Sequence, residues 1–411
     1  MAQKAYILAF NDEAVDEAFY GNVVTLTVDK QSASAGSLQL RLATRLLSDG
    51  SWSYLEDGRL TPFTKMSCRL GFVGGEGLAG VLGAVAEAFG GDGGNDGLEP
   101  VFDGYITAVD VSLGSAPGNA HIAVSAMDTS VLLSLEEKVV TWLNLSDSEI
   151  AQQIVAGYGV QLEADATATV HQENDTTVVQ RGSDLQFVRM LAQRNGFEFY
   201  FETDRDTRAV TGFFRLPQLD DTPQPDLAIQ FGEQSNLRSF SARLNAQRPL
   251  TVKTAQIDVR TNSVNIGQAA ETQLAQIGDK NLPTLIGARL ETLVRPLEAQ
   301  AQMLVLGSPT SNPTELQTIA EAVRDEAGWF ISASGEINSD AYQAVLRPHR
   351  TVLVKGAGTP YSGTYYVTRV THQLQGDGSY IQKFEARRNA RDLDGNEEFG
   401  ADRLGLPVPR I

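Results

Sequence analysis

The chain has 411 residues, of which 42% are hydrophobic and 20% charged, the composition of an ordinary soluble globular protein with two or three domains. Its formal net charge is −18. Because nucleic acids and anionic membranes are bound through excess Lys and Arg, this charge argues against either as the main ligand. Solubility is the simplest explanation for it, and an acidic lumen or rim that repels polyanions is the alternative hypothesis.

A single cysteine, Cys68, excludes an intrachain disulfide and a thiolate metal cluster. It lies in an alternating, strand-like segment, so we expect a buried, inert thiol and synthesis in the reducing cytoplasm. The N-terminal apolar run is too short for a signal peptide, and the longest apolar run, Leu78 to Phe89, is too short to span a bilayer. The sequence therefore predicts neither a secretory signal nor membrane insertion.

The first third of the chain alternates apolar and polar residues, which predicts antiparallel strands. The predicted strands are Val24–Val28, Leu38–Leu42, Met66–Val73, Val101–Val111 and His121–Ala126. Short strands at this spacing are typical of a small barrel or sandwich. We assign residues 1–138 to a first β-barrel domain with a Gly-rich insertion at 74–98.

The hydrophobic period then changes to that of helices. Ser146 with Glu149, and Ser183 with Gln186, each have the spacing of a capping box, which predicts two helix starts. The second helix ends near Gly196 and leads into an alternating strand, and residues 217–226 form a loop rich in Pro and Asp. Residues 139–238 are therefore predicted to form a small α+β module.

Strands resume after about residue 240, and we assign residues 239–390 to a second β-barrel domain. A helical insertion at about 285–328 interrupts it, with Asn312 as cap, Pro313 at the first helical position and Gly328 as the stop. Further strands are predicted at Trp329–Ser334, Thr351–Lys355 and Tyr365–His372. Residues 391–411 form a polar tail.

Two segments of the chain resemble each other. Phe102–Val109 and Tyr361–Val370 each begin with an aromatic residue, one further residue and Gly, and each continues as a β run. Both come late in an all-β segment of comparable size. The predicted fold class is therefore α+β, mainly β, with two similar small antiparallel β-barrels and an intervening α+β module.

Three stretches resemble the baseplate hub family of contractile phage tails, which includes tail protein D and the hub half of the type VI spike protein VgrG. Pro100–Val109 followed by Met127–Leu133 is similar to the end of that family's first barrel, and Gln180–Phe197 to its helix–strand signature. Leu346–His372 is similar to the end of its second barrel. His349 departs from the pattern, because the family usually carries Gly there.

The resemblance implies a structural protein that assembles as a homotrimeric ring. Two similar barrels per chain, in three copies, present six barrels about one axis, which suits a sixfold tail tube above and a threefold spike below. VgrG continues into an OB-fold and a needle that this sequence lacks, so a separate spike protein is expected. Baseplate wedge or peripheral hub components are further expected partners, in a phage-like tail or a contractile injection particle.

Several motifs resemble parts of enzyme or metal sites but lack features that those sites need. Gly75–Gly80 matches a dinucleotide-binding pattern with Glu99 downstream, but the strand after it alternates as in an antiparallel sheet. Asp392–Glu398 lacks the spacing of a calcium loop. Paired acids on polar loops do not make the two opposed carboxyls of a glycosidase, and surface roles are expected for them. They are Glu136-Glu137, Asp220-Asp221 and Glu397-Glu398.

The four histidines lie far apart in the sequence and lack the spacing of a metal site: His121, His171, His349 and His372. His372 is expected to cap a strand end. We therefore predict no catalytic, cofactor-binding or metal site, and no enzyme. A cell-wall or polysaccharide hydrolase with a β-rich body remains the alternative, and turnover of peptidoglycan or glycans would favour it.

Overall fold

Antiparallel strands dominate the computed structural model, which describes residues 3–73, 98–114, 118–173, 178–258, 261–293, 302–306 and 312–395. The Gly75–Gly80 motif, the apolar run Leu78 to Phe89 and Glu397-Glu398 lie outside these residues. The strands predicted in the first third are confirmed, each slightly longer than expected. They are β3 Val23–Gln31, β4 Ser37–Ala43, β5 Lys65–Val73, β6 Leu98–Ser112 and β7 His121–Asp128, and two strands that were not predicted precede them, β1 Gln3–Phe10 and β2 Glu13–Ala14.

The middle of the chain contains short strands and two helices. The strands are β8 Glu137–Trp142, β9 Leu145–Ser146, β10 Gln161–Ala164, β11 Val170–His171, β12 Val178–Ser183, β13 Glu198–Thr203 and β14 Val210–Arg215. The two helices of the middle region are α2, Asp147–Ala156, and α3, Asp184–Arg194, and a shorter helix, α1, Glu17–Tyr20, lies in the first third of the chain. Both predicted capping boxes are confirmed, at Ser146 with Glu149 and at Ser183 with Gln186.

The last part of the chain returns to strands. They are β15 Gln224–Ala228, β16 Leu237–Leu244, β17 Thr251–Asp258, β18 Ser263–Ala269, β19 Gln302–Leu306, β20 Ile331–Asn338, β21 Thr351–Lys355, β22 Gly363–Gln375 and β23 Tyr380–Arg388. The helices are α4 Leu282–Leu293, α5 Pro313–Gly328, α6 Ser339–Tyr342 and α7 Gly358–Tyr361. The prediction of a loop over residues 217–226 extends too far, because strand β15 already begins at Gln224. Asn312 caps α5 and Pro313 opens it, as predicted.

Thirteen of the described strands form one sheet, which contains two units of the same topology. In the first unit the order is β3-β4-β7-β6-β5, and in the second it is β16-β20-β23-β22-β21. All pairings within both units are antiparallel. If the five strands of each unit are numbered along the chain, their order across the sheet is the same in both units. Among the described residues neither unit closes into a complete barrel.

A shared bulge fixes how the two units correspond. The β6–β7 register shifts at Thr107, and the β22–β23 register shifts at Thr368. Each threonine hydroxyl donates a hydrogen bond across the bulge, Thr107 to the Ser125 carbonyl at 3.1 Å and Thr368 to the Glu385 carbonyl at 3.2 Å. Bulges are specific local features, so this common position supports the similarity seen in the sequence.

The correspondence extends across each unit. In the first unit Ser125 lies opposite Gln39, which lies opposite Thr27. In the second unit Glu385 lies opposite Ser334, which lies opposite Ser241. Thr27 of β3 therefore corresponds to Ser241 of β16, and Asp29, two residues on, corresponds to Arg243. On the bulged strands, Asp110 corresponds to Thr371 and Ser112 to Gln373.

Three main hydrophobic cores lie beneath these elements. The first belongs to the first unit but also contains Leu374 and Tyr380 of the second. The second core lies within the second unit, and the third is built from α2, α3 and the strands around them. Because period-2 apolar residues fill the first two cores, the opposite face of the thirteen-stranded sheet is polar.

Candidate assembly surfaces

The two units are joined by pairing between β22 and β3. The far half of β22, from Arg369 to Gln375, pairs antiparallel with β3. In this ladder Thr371 lies opposite Asp29, and Gln373 lies opposite Thr27. Asp29 accepts hydrogen bonds from Arg369 Nε at 2.9 Å and from the Thr371 hydroxyl at 2.7 Å. Strand pairing and the Arg369–Asp29 ion pair therefore both contribute to holding the first unit against the second.

The corresponding edge of the first unit has no partner strand. Residues 106–112 of β6 pair with β7 on one side, and no described strand covers their other side. Asp110 and Ser112 on this half are exposed, and 43% of Val111 is accessible to solvent. An uncovered edge of this kind presents unpaired backbone N–H and C=O groups.

β16 is the second uncovered edge. It corresponds to β3, but it pairs only with β20 in the described chain. Ser241 and Arg243 on β16 are exposed. Neither Asp110 nor Arg243 makes an ion pair with any other described residue. The described part of the chain thus has two uncovered edges, β16 and the far half of β6, which correspond to the two edges, β3 and the far half of β22, that pair within it.

The polar face of the sheet carries both signs of charge. Arg369 forms ion pairs with Asp29 and, at 3.2 Å, with Glu385. Arg238 pairs with Glu336 at 3.2 Å. These neighbouring pairs leave little net charge on this face, so the described sheet does not favour an acidic lumen as the reason for the net charge of −18.

A partly buried charge network joins both units to the middle region. Arg347 lies 3.2 Å from Glu99 of β6 and 3.2 Å from Glu202 of β13. Arg205 also pairs with Glu99, at 2.9 Å. Burial raises the pKa of the Glu202 carboxyl, but Arg347 and neighbouring cations outweigh it and hold that pKa below its usual value. Glu99 therefore forms ion pairs where the first unit meets the second unit and the middle region.

A second network surrounds His349, the departure from the family pattern. His349 adopts φ 61°, the left-handed conformation that favours glycine. Its ring stacks on Tyr200 at 3.5 Å between centroids, and its Nδ1 lies 2.8 Å from Glu198 Oε2. The Tyr366 hydroxyl donates to the same oxygen at 2.6 Å. These contacts hold the left-handed turn without glycine.

A third network connects the middle region to α5. The His171 ring lies 2.8 Å from Asp147 of α2 and 2.7 Å from Glu315 in the first turn of α5. Burial favours the neutral ring, but the two carboxylates outweigh it and raise the pKa of His171 to about 9. Arg194 also binds Asp147. His171 is therefore a protonated bridge at neutral pH.

The remaining predicted residues lie apart from one another. Cys68 is buried as expected, and burial raises the pKa of its thiol. Glu136, Glu137, Asp220 and Asp221 are exposed as expected. The expectation for His372 is wrong: it lies within β22, is buried, and bonds the Tyr380 hydroxyl at 2.8 Å. Its alternating position points it into the core.

The described part of the chain contains neither a metal-binding cluster nor a membrane-spanning helix. No group of three or more His, Cys, Asp or Glu residues there is arranged to hold a metal ion. Asp392 of the acidic turn instead pairs with Lys280 at 2.9 Å. Of the helices described, none is long and apolar enough to cross a membrane.

Solved structures of similar fold come from phage tails and type VI secretion. The 43 kDa tail protein of prophage MuSo2 from Shewanella oneidensis has a TM-score of 0.61 at 10% identity, over 95% of this chain and 100% of that one. The tail protein from Neisseria meningitidis MC58 gives 0.58 at 11% identity, over 94% and 97%. An Escherichia coli component of the type VI secretion system, itself similar to the T4 bacteriophage tail proteins gp27 and gp5, gives 0.51 at 14%, over 94% and 78%.

The fold is therefore that of phage tail and type VI secretion proteins. In sequence, a family model described as the Alg8 N-terminal domain matches residues 92–376. That match spans more than half of the chain, so the chain belongs to the Alg8 N-terminal domain family. None of the curated protein sequences matches it.

Proposed function

We propose that the protein is a structural baseplate hub that joins a sixfold tail tube to a threefold spike in a contractile tail or injection system. The observation that carries this proposal is the presence of two units with the same strand order and the same bulge in one chain. Three copies in a ring present six such units. A ring of this kind matches sixfold symmetry on one side and threefold symmetry on the other.

The pairing inside the chain supplies a rule for pairing between chains. Within the chain, β3 covers the far half of β22. Their counterparts, β16 and the far half of β6, are both uncovered. In the proposed ring, β16 of one copy pairs with β6 of the next. The sheet then runs continuously through all copies, and no long edge stays exposed to misassembly.

The register inside the chain can be transferred to this interface. Thr371 lies opposite Asp29, so their counterparts Asp110 and Arg243 come to lie opposite each other across the interface. Gln373 lies opposite Thr27, so Ser112 comes to lie opposite Ser241. Opposite charges on facing strands stabilise pairing by about 0.2–1 kcal/mol. The charge complementarity of Asp110 and Arg243 therefore supports the transferred register.

The rest of the proposal concerns the division of the chain and its partners. Residues 1–138 and 239–390 are proposed as the two β-barrel domains, residues 139–238 as the α+β module between them, and residues 391–411 as a tail. The polar sheet face would line the bore. A tail tube protein would bind above, a separate spike protein below, and wedge or peripheral hub components outside, without an enzymatic site, stable nucleic-acid binding or membrane insertion.

Electron microscopy of the purified chain, with disulfide crosslinking, tests this proposal. We expect a threefold ring with six β units around a bore. Ser112→Cys with Ser241→Cys should give covalent trimers on oxidation, because facing residues on paired antiparallel strands lie at disulfide distance. Each single cysteine variant is the control, since Cys68 is buried. A monomer at micromolar concentration, a ring without crosslinks, or turnover of peptidoglycan would overturn the proposal.

A further inference from the structure

A groove of about 660 Å³ lies between α3, α5 and the end of β23, away from both free strand edges. Its volume falls within the range of ligand pockets. Arg189 of α3, Arg248 of the loop after β16 and Arg387 of β23 line it, together with Glu198 of β13. Three arginines from separate elements thus converge on one groove.

Two arginines in this groove lack an ion-pair partner among the described residues. Glu198, by contrast, is paired: its Oε1 lies 3.9 Å from Arg387 Nη2, and its Oε2 is bonded to His349 and Tyr366. The Glu198 side chain is only 10% exposed. Arg189 and Arg248 form no ion pair with any described residue, and burial lowers the pKa of Arg189. Partly desolvated cations without an ionic partner cost free energy, which a bound anion would recover.

Two further acids that line the groove, Asp325 and Glu326, already have hydrogen-bond or ion-pair partners within the chain. Asp325 accepts hydrogen bonds from the Thr272 hydroxyl at 2.6 Å and the Gln273 amide at 2.7 Å. Glu326 pairs with Arg387 at 2.8 Å. The charges left for a ligand are therefore mainly those of Arg189 and Arg248, which favour a carboxylate.

The remaining walls suit an extended peptide. Phe197, Leu274 and Trp329 provide apolar and aromatic surface. Acidic side chains on such a peptide would reach Arg189 and Arg248, the two arginines without an ion-pair partner. The chemistry thus combines apolar contact with carboxylate recognition.

We propose that this groove binds an extended acidic peptide segment of a partner protein. The segment's carboxylates pair with Arg189 and Arg248, and its apolar side chains pack on Phe197, Leu274 and Trp329. The inference does not depend on the ring, because the groove does not include the free edges of β6 and β16.

Fluorescence anisotropy with labelled Ac-Gly-Glu-Phe-Glu-Gly-NH2 tests the proposal, with the Gln-for-Glu peptide as comparison. We expect the acidic peptide to bind about tenfold more tightly, since hydrogen bonds to charged groups contribute about 1.5–3 kcal/mol each. Arg248→Gln and Arg189→Gln should each weaken binding by a similar factor. Arg181→Gln, at an exposed arginine of β12, is the matched control and should change nothing.

Other outcomes would overturn the proposal. Equal binding of both peptides, or no loss in the Arg248→Gln and Arg189→Gln variants, would exclude carboxylate recognition in the groove. If sedimentation shows that Arg248→Gln reduces self-association, the occupant is a second copy of the chain and not a partner. Thermal unfolding checks that both variants remain folded. Crosslinking of Ser112→Cys with Ser241→Cys reports the ring separately.

Discussion

His171 shows how single residues hold separate parts of this chain together. Its ring bridges Asp147 of α2 and Glu315 of α5, which are far apart in sequence. With a folded-state pKa of about 9, raised above its usual value, the ring binds a proton more tightly in the folded chain than in the unfolded one. Its contribution to stability is therefore complete below about pH 6.5 and is lost as the pH rises through about 9.

Urea unfolding between pH 6 and 10 checks this prediction. The wild-type midpoint should fall as the pH rises through this window, and the midpoint of His171→Gln should fall less. The contacts of Asp147 hold its pKa below the usual value, so this carboxylate stays ionised throughout. Parallel curves for the two proteins would show that the bridge is not protonated.

Local residue chemistry was predictable, whereas distant partners were not. Both capping boxes were predicted because the two interacting residues are three apart, and so was the Asn312 cap of α5. The partners of His171, Glu198 and Glu202 come from other elements, and nothing in their local sequence identifies them. His372 was assigned wrongly because burial of a polar ring in β22 depends on Tyr380 of the next strand.

At the scale of elements, the close contact between β18 and α5 depends on one glycine. A Cβ at Gly267 would lie 2.4 Å from the Leu316 carbonyl carbon. The buried Thr254 hydroxyl donates to the Leu316 carbonyl at 2.8 Å on the same surface. The backbone of α5 therefore rests directly on the sheet, and any side chain at position 267 must push it away.

We predict that Gly267→Ala destabilises the chain by about 1–3 kcal/mol, the usual cost of overpacking. Gly287→Ala is the matched control, because no described atom outside the helix's own backbone lies within 4 Å of a Cβ there and alanine favours the helix. Its effect should be neutral or stabilising. Free energies of unfolding from urea titration measure both, and equal effects would contradict the packing argument.

The periodicity of the sequence predicted many strands but not how they pair. Alternation located the five strands of the first unit and three of the second, β20, β21 and β22, and the resemblance of Phe102–Val109 to Tyr361–Val370 indicated a repeat. The pairing of β22 with β3, and the ladder that makes β16 the counterpart of β3, join residues hundreds of positions apart. Such pairings depend on register and tertiary packing, which periodicity does not encode.

At the scale of the whole molecule, one interface rule accounts for both free edges. If β16 of one copy pairs with β6 of the next in the transferred register, Asp110 faces Arg243 at every interface of the ring. Asp110→Arg or Arg243→Asp then places like charges opposite each other, which destabilises strand pairing. Because the same contact recurs around a closed ring, each single variant should weaken assembly severalfold.

The double variant Asp110→Arg with Arg243→Asp restores opposite charges with their positions exchanged, so we expect it to recover most of the wild-type assembly. Sedimentation velocity across a concentration series measures this, and Asp220→Arg, at an exposed loop acid, controls for the change in net charge. If Asp220→Arg leaves assembly unchanged, net charge does not control assembly, and recovery in the double variant requires that the two side chains face each other. A double variant as defective as its singles would place these residues at different contacts and exclude the transferred register, since defects at separate contacts add instead of cancelling.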